Sequence, residues 1–172
     1  MRTLAALILL AGAVGATPPS PNDHLLVLGK RVGPFYYHSS HESQSDYAAA
    51  RTAFGRPTSQ RVDGNLCRVT WKAAGITIGF ASDARPCAPK TLAAHGLWYG
   101  MTLWAATWHN TRGLRIGMST AAVRHLYPGA SGNTHRLILA THRDQELTFV
   151  LLAVTLAQGK VVAIDVPADF VY

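Results

Sequence analysis

The clearest pattern of apolar and polar positions lies in the second half of the chain, in the stretch TRGLRIGMSTAAVRHLYPG from residue 111 to 129. Its first part, GLRIGM, alternates as a short strand does, and the residues that follow space their apolar side chains as a helix does. The helical stripe consists of Ala122, Val123, Leu126 and Tyr127. Ser119 or Thr120 occupies the position of an N-cap, and Gly129 after Pro128 ends the helix.

Three more strands are predicted downstream of this helix. HRLILATH (135–142) and ELTFVLLAVT (146–155) alternate apolar with other side chains, and the polar residues 143–145 form the turn between them. Residues 158–159 make the next turn, before KVVAIDV at 160–166. The second half is therefore predicted to be a strand, a helix and a meander of three strands.

The first half of the chain follows the same order of elements. VGPFYYH (32–38) predicts a strand, and SDYAAARTAFG (45–55) predicts a helix that begins at a serine cap and ends at a glycine. LCRVTW (66–71) and ITIGFAS (76–82) predict a hairpin. The aromatic stretch 98–108 predicts the last strand of this half.

Equal spacings in the two halves favour an internal duplication. The helix cap and the terminating glycine are ten residues apart in both halves, and one pair of strand positions is thirteen residues apart in both. The pairs are Ser45 and Gly55, Ser119 and Gly129, Cys67 and Phe80, and Leu137 and Val150. We therefore predict an α+β fold of two tandem strand-helix-three-strand repeats, over residues 24–110 and 111–172, in one compact unit. A chance similarity of two α+β halves is the alternative.

Two insertions distinguish the first half from the second. HSSHESQSD (38–46) lengthens the connection from strand to helix, and DARPCAPKTLAAHG (83–96) separates the third and fourth strands. The second insertion carries Cys87 and the hairpin carries Cys67, and these are the two cysteines of the chain. Because an even cysteine count in an exported chain is typical of a disulfide, a Cys67–Cys87 bond is predicted to hold the inserted loop on the hairpin.

The N-terminus has the pattern of a secretory signal peptide. Residues 1–16, MRTLAALILLAGAVGA, have one arginine, an apolar run and small residues at the end. The run is shorter than the roughly 18 to 20 residues that a membrane-spanning helix needs. TPPSPND (17–23) is predicted to be a Pro-rich leader outside the core. We expect a secreted or cell-envelope protein, outside the cytoplasm, with no membrane span after signal cleavage; an N-terminal anchor is the alternative.

The chain is basic, with a formal net charge of +7 from 16 Lys and Arg against 9 Asp and Glu. The basic residues are mostly scattered singly, whereas a nucleic-acid surface normally clusters them. Nucleic acid is therefore not expected as a partner, and no cofactor is predicted. Attraction to an anionic polymer of the cell envelope stays open, since net charge alone bears on solubility and encounter rate.

The stretch GLRIGMSTAAVRHLYPG resembles the half-repeat of uncharacterised secreted actinobacterial proteins. More remotely it is similar to outer-membrane assembly lipoproteins of the BamE type and to proteins of the β-lactamase inhibitory type, which are built from two such repeats. The chain lacks the lipobox cysteine of the BamE type and matches no individual inhibitory residue, so neither activity is carried over. The resemblance implies helices packed on one face of an antiparallel sheet, with the other face free to bind a protein.

Side chains that bind metals are concentrated in the loop 38–46. His38, His41 and Glu42 have the donor types of a zinc site, with the two histidines three residues apart. The stretch has poor helix propensity, however, and lacks the His-Glu-x-x-His order of zinc hydrolases. A solvated loop that supplies the N-cap Ser45 is the competing interpretation.

No catalytic motif in the chain is specific. The G-x-S-x-G elbow of serine hydrolases is absent, and no pair of carboxylates has a distinctive setting for glycoside hydrolysis. Asp165, a polar residue in the apolar strand VVAIDVP, is expected at a sheet edge or beside an arginine. A small secreted hydrolase or metal-dependent enzyme that uses the loop 38–46 is the alternative function.

The aromatic strand carries the candidate binding residues. If LWYGMTLWAATWHN (97–110) is one strand, one face holds Trp98, Thr102, Trp104 and Trp108, and the other holds Tyr99, Met101 and Leu103. Because Trp and Tyr dominate protein interfaces, Trp98, Trp104, Trp108 and Tyr99 are predicted to bind a partner. The alternative is that the tryptophans belong to the core. The sequence thus favours a secreted, non-catalytic protein that binds another protein or an envelope component.

Overall fold

The computed structural model describes four segments of the chain, residues 23–37, 45–82, 85–144 and 147–167. The predicted signal peptide (1–16) lies outside these segments, and so does the predicted leader apart from Asp23. The proposed metal ligands His38, His41 and Glu42 also lie outside the described residues.

The described residues form an α+β fold with more strand than helix, as predicted. The helices are α1 (Asp46–Phe54), α2 (Pro89–His95) and α3 (Thr120–Leu126). The strands are β1 (Leu25–Val27), β2 (Arg31–Val32), β3 (Phe35–Tyr36), β4 (Ser59–Asp63), β5 (Leu66–Trp71), β6 (Ile76–Ala81), β7 (Leu97–Leu103), β8 (His109–Asn110), β9 (Ser131–Gly132), β10 (Arg136–Asp144), β11 (Leu147–Ala157) and β12 (Lys160–Val166). Within these segments no helix has the length and apolar character needed to cross a membrane.

The strands of the described segments form two sheets. The smaller sheet has the order β3-β2-β1-β8, and in it β1 pairs in parallel with β8, so that Leu25 lies opposite His109. The larger sheet has the order β4-β5-β6-β7-β12-β11-β10-β9, and all of its strand pairs are antiparallel. β7 and β12 therefore lie in its middle, with Leu103 opposite Ile164.

The predicted caps of α1 are confirmed. Ser45 Oγ accepts a hydrogen bond from the Ala48 N–H at 3.1 Å and donates one to the Ala93 carbonyl at 2.9 Å. Gly55 ends the helix with φ at 77°, a left-handed value that glycine adopts without a Cβ clash. These local signals place the first helix correctly.

The predicted strand GLRIGM is wrong, because the structure has no strand there, only an isolated bridge between Arg115 and His109. Helix α3, which follows, begins where the sequence predicts and ends earlier. Ser119 caps it through a hydrogen bond from the Ala122 N–H to Ser119 Oγ at 3.2 Å. The helix ends at Leu126, so the predicted end at Gly129 is wrong. Pro128 explains the difference, because a proline disfavours helical backbone at the residue before it, and Tyr127 has φ at −128° and ψ at 80°.

One face of the larger sheet, here termed the inner face, packs into the hydrophobic core. Its buried residues in β5 and β6 are Cys67, Val69, Trp71, Ile76, Ile78 and Phe80. Helix α1 packs against this face, since the rings of Tyr47 and Phe80 are 5.3 Å apart at their centroids. The rings of Phe54 and Trp71 are 5.8 Å apart in the same way. The opposite side of the sheet is termed the outer face.

The predicted disulfide is confirmed. Cys67 and Cys87 are bonded, with their Cα atoms 5.0 Å apart. Cys67 lies on the inner face of β5, and Cys87 lies shortly before α2, whose Leu92 is buried. The cysteines are 20 residues apart in sequence, a separation for which the chain-entropy model gives a stabilisation of about 3 kcal/mol.

Two further strands in the first half differ from the prediction. The described part of VGPFYYH, residues 32–37, contributes to two short strands, β2 and β3, instead of one, because the chain turns at Gly33, which has φ at 53°. Strand β4 has no counterpart in the prediction. Its sequence, SQRVD, is exposed at every position, so it lacks the alternation that marks a half-buried strand.

The predicted last strand of the first half is too long, because β7 ends at Leu103. The chain there folds over the turn between β5 and β6, and the N–H of Trp104 donates to the Gly75 carbonyl at 2.9 Å. A Cβ on Gly75 would lie 2.1 Å from the Ala105 Cβ, so the close approach requires glycine. Trp108 then turns into the core, where its Nε1 donates to the Ala74 carbonyl at 2.7 Å.

Candidate binding surface on the outer face of the sheet

The predicted aromatic group does not share one face. Trp98 is 4% exposed, and its ring stacks on Tyr37 with the centroids 4.9 Å apart. Trp108 is buried beyond the end of β7, and Trp104, also beyond that end, is 38% exposed. The prediction of one strand face with three tryptophans is therefore wrong. Tyr99, in contrast, lies on the outer face and is 42% exposed.

A β-bulge explains why the simple alternation fails in β7. Trp98 pairs with Phe80 and Met101 pairs with Ile78, so two residues of β7, Tyr99 and Gly100, oppose Gly79 alone. Gly100 has φ at 88°, which suits glycine in a bulge. Beyond the bulge, Met101 and Leu103 are buried, so the inward side passes from even to odd residue numbers. Tyr99 and Thr102 both point outward as a result.

A row of polar residues crosses the middle of the outer face. The register places Thr70 opposite Thr77, Thr77 opposite Thr102, and Thr102 opposite Asp165. The hydroxyls of Thr70 and Thr77 are hydrogen-bonded at 3.1 Å. Thr155, on β11, adjoins the end of the row. Four neighbouring strands and β11 thus present hydroxyl and carboxylate groups on one surface.

Asp165 forms the centre of this surface. Thr102 Oγ1 donates to Asp165 Oδ1 at 2.9 Å, and Thr155 Oγ1 donates to Asp165 Oδ2 at 2.8 Å. The expectation of an edge position or an arginine partner is wrong, since β12 lies between β7 and β11 and the partners are threonines. Among the described residues, no Lys, Arg or His forms an ion pair with this carboxylate.

A groove of about 370 Å³ opens over Asp165. The polar side chains along it are Arg68, Tyr99, Thr102, Arg136, Thr155 and Asp165. It runs from β5 across the middle of the sheet to β10, so both halves of the chain contribute to it. A partner bound in this groove would contact two cationic side chains and one carboxylate.

The two arginines of the groove differ in their surroundings. Arg68 Nε donates to Asp63 Oδ2, and the hydrogen bond and charge of Arg68 hold the pKa of Asp63 below its ordinary value. Arg61, on β4, lies directly opposite Arg68. Arg136, at the start of β10, is exposed and has no acidic partner within the segments that the structure describes. The rim of the groove is therefore positively charged, with Arg136 available for an external anion.

An apolar corner adjoins the charged groove. Leu66, Ala81 and Leu97 lie opposite one another on β5, β6 and β7. Leu97 is 54% exposed, and Tyr99 follows two residues later on the same side. Exposed apolar and aromatic side chains beside polar groups with fixed positions are typical of the core and rim of protein interfaces.

The metal-site hypothesis concerns residues that the structure does not describe. His38, His41 and Glu42 lie between the described segments 23–37 and 45–82. In the described part of the chain, no three His, Cys, Asp or Glu side chains are grouped so as to hold a metal ion. Ser45, at the end of the loop, is the N-cap of α1, as the competing interpretation expects.

Sequence reasoning did not identify Arg68 or Arg136 as site residues, and it misplaced Asp165. The alternation in LCRVTW could have identified Arg68 as a surface residue, because it directs the Arg68 side chain to the face of the strand opposite the buried Cys67 and Val69. Comparison of the chain with protein-family models, with curated proteins and with solved structures finds no match. Function therefore has to be inferred from the geometry of the outer face.

Proposed function

We propose that the protein is a secreted, non-catalytic binding protein that recognises another protein through the outer face of its larger sheet. One observation carries the proposal: exposed Leu97 and Tyr99 stand beside a groove in which threonines hold Asp165 and two arginines form the rim. Aromatic and arginine side chains are enriched in protein interfaces, and β7, in the middle of the sheet, positions Leu97 and Tyr99 at little entropic cost.

The charges of the groove favour a protein partner over an anionic envelope polymer. Such a polymer would be attracted by the net positive charge of the chain and by the exposed Arg136. It would also place negative charge against Asp165 at the centre of the groove. A protein surface carries charges of both signs and satisfies both requirements.

The groove also lacks the side chains of the common hydrolytic mechanisms. Its described lining contains one carboxylate, Asp165, and neither histidine nor cysteine. Glycoside hydrolysis ordinarily requires two carboxyl groups, and the Ser–His and Cys–His pairs of nucleophilic catalysis require a histidine. Both oxygens of Asp165 accept hydrogen bonds from threonines, which suits a fixed charge for recognition.

We assign the protein to the space outside the cytoplasm on two grounds. Residues 1–16 have the signal-peptide pattern, and the Cys67–Cys87 disulfide is of the kind that persists in oxidising compartments. A partner is therefore sought among extracellular or cell-envelope proteins.

We further propose that residues 24–110 and 111–172 are tandem repeats with their helices on the inner face. In support, β4-β5-β6-β7 of the first half are followed in the sheet by β12-β11-β10-β9 of the second. A serine caps a helix before each set, Ser45 in α1 and Ser119 in α3. In this arrangement the last strands that the halves contribute to the larger sheet, β7 and β12, lie side by side where the groove is.

The test uses the full chain, expressed with its own N-terminal segment and purified from the culture medium. It serves as bait for proteins in the culture fluid and envelope fraction of the producing cell, in three forms: unsubstituted, Tyr99→Ala and Tyr36→Ala. Tyr36 is the matched control, because it is a tyrosine of similar exposure, 48%, on β3 of the smaller sheet. Quantitative mass spectrometry measures the capture.

We expect a protein that the unsubstituted chain and Tyr36→Ala retain and that Tyr99→Ala loses. Capture that is equal for the two variants would mean that the outer face does not bind the partner. The absence of any enriched protein would contradict the binding function itself.

A further inference from the structure

We infer that Asp165 receives a lysine or arginine side chain of the partner protein, and that this basic side chain is flanked by acidic ones on the partner. The inference rests on the proposed function, since it names the chemistry of the surface that the outer face binds. It follows from the way the carboxylate is held and from the charges around it.

The carboxylate of Asp165 is fixed before any partner arrives. Thr102 and Thr155, on the strands to either side of β12, each donate to one of its oxygens. An ionised carboxylate has about four acceptor positions, so roughly two remain after these bonds. Because both threonines are anchored in central strands, the carboxylate offers these remaining positions without loss of side-chain freedom.

Covering the outer face removes water from Asp165. No described cation forms an ion pair with it, so an apolar or acidic partner group at this place would leave a buried charge without a direct partner. Threonine hydroxyls reduce that cost without removing the charge. A partner that covers the groove is therefore stabilised most by a cationic group placed over Asp165.

The arginines at the rim of the groove favour negative charge on the partner. Arg68 and Arg136 line it on the two sides of Asp165, and Arg61 lies beside Arg68 on β4. Asp63 pairs with Arg68, whereas Arg136 has no acidic partner among the described residues. A lone cation would be repelled by this rim, while carboxylates on either side of it would be attracted. The complementary surface thus has a basic centre and acidic flanks.

The test uses two synthetic peptides, acetyl-Gly-Asp-Lys-Asp-Gly-amide and the same peptide with norleucine in place of lysine. Norleucine keeps the aliphatic length and removes the charge. Each peptide is titrated into the full chain, and NMR shifts of the Thr102 and Thr155 amides report binding at the groove. The titrations are repeated on Asp165→Asn and on Arg51→Gln, a control that removes an exposed arginine of α1 away from the outer face.

We expect the lysine peptide to shift the Thr102 and Thr155 resonances and to bind roughly tenfold more tightly than the norleucine peptide. The preference should disappear in Asp165→Asn and persist in Arg51→Gln. Because the two peptides are first compared on the unsubstituted chain, the test stands even if Asp165→Asn does not fold.

Equal affinity of the two peptides, a preference that survives in Asp165→Asn, or no shift at Thr102 and Thr155 would each overturn the inference. Asp165 would then serve only to join Thr102 and Thr155 across the sheet. None of these results would alter the Tyr99-dependent capture of a partner. Failure of the inference is therefore distinguishable from failure of the proposed function.

Discussion

The inner and outer faces of the larger sheet are made from alternate residues of the same strands, and they differ in what holds their side chains. In β5, Cys67, Val69 and Trp71 are buried and packed, whereas Arg68 and Thr70 are half-exposed. Packing fixes the inner face, while hydrogen bonds such as those from Thr102 and Thr155 to Asp165 fix the outer one. Stability and recognition are therefore separable by substitution.

The bulge in β7 sharpens the difference between the faces. Without the bulge, strict alternation would direct Trp98, Gly100 and Thr102 to one side, as the sequence pattern predicts. With it, Trp98 joins the core and Thr102 joins Tyr99 on the outer face. One extra residue thus supplies both an aromatic contact with Tyr37 inside and a hydroxyl for Asp165 outside.

The largest expected effect is the loss of an inner-face aromatic. Trp71→Ala removes a buried ring that packs on Phe54 and Phe80 and donates to the Gly55 carbonyl at 2.9 Å. We expect the free energy of unfolding to fall by about 3 to 5 kcal/mol, measured by urea denaturation.

Tyr99→Ala is the matched outer-face change, and we expect the free energy of unfolding to fall by no more than about 1 kcal/mol, the span of strand propensities. Similar losses for the two variants would contradict the separation of the faces. A partner-binding defect in Tyr99→Ala without a stability defect would support it.

The next largest effect concerns the disulfide that ties the inner face to the loop before α2. The double variant Cys67→Ala and Cys87→Ala should lose about 3 kcal/mol of stability, since the unfolded chain gains the freedom of the opened loop. Thermal unfolding of the variant and of the reduced unsubstituted chain should agree. An unchanged melting temperature in both would show that the loop is held without the bond.

A smaller effect is expected from the hydrogen bonds of the outer face. Thr102→Val removes a donor to the Asp165 carboxylate, and we expect a loss of about 1.5 kcal/mol, because bonds to charged groups are the stronger ones. Thr77→Val is the control, since Thr77 shares only a neutral bond with Thr70, worth about 0.5 kcal/mol. Urea denaturation measures both losses. A greater loss of stability in Thr77→Val than in Thr102→Val would show that the hydrogen bonds to Asp165 are not the stronger ones on the outer face.

The smallest effect is the pH dependence of the stability that the Arg68–Asp63 ion pair contributes at the rim of the groove. Arg68 lowers the pKa of Asp63, so the pair stabilises the fold above the ordinary pKa of 3.8 and loses this contribution as pH falls through the lower folded-state pKa. Asp63 is exposed, so the contribution is small. NMR titration of Asp63 should give a higher midpoint in Arg68→Gln, and an unchanged midpoint would show that the ion pair does not form in solution.

The sequence predicted the features that depend on neighbouring residues. Ser45 and Gly55 bound α1 because an N-cap hydroxyl and a left-handed glycine act within one helical turn. The alternation of β5 and β6 and the pairing of Cys67 with Cys87 were equally accessible. The α+β class follows from these elements.

The features that the sequence did not predict depend on distant parts of the chain. Strand β4 is an exposed edge with no periodic signal, and β7 ends early because Ala105 meets Gly75. The place of Asp165 follows from the pairing of β12 with β7, which no local pattern encodes. The candidate site, which combines β5, β7, β10, β11 and β12, was therefore inaccessible to pattern analysis.

The most direct test of a binding role for the outer face is a pair of equilibrium binding curves. The captured partner is titrated onto immobilised Tyr99→Ala and Tyr36→Ala, with the unsubstituted chain as reference. We predict a Kd at least about tenfold higher for Tyr99→Ala, since a central interface tyrosine is commonly worth more than 1 kcal/mol, and an unchanged Kd for Tyr36→Ala. An unchanged Kd for Tyr99→Ala, with or without a change for Tyr36→Ala, would contradict it.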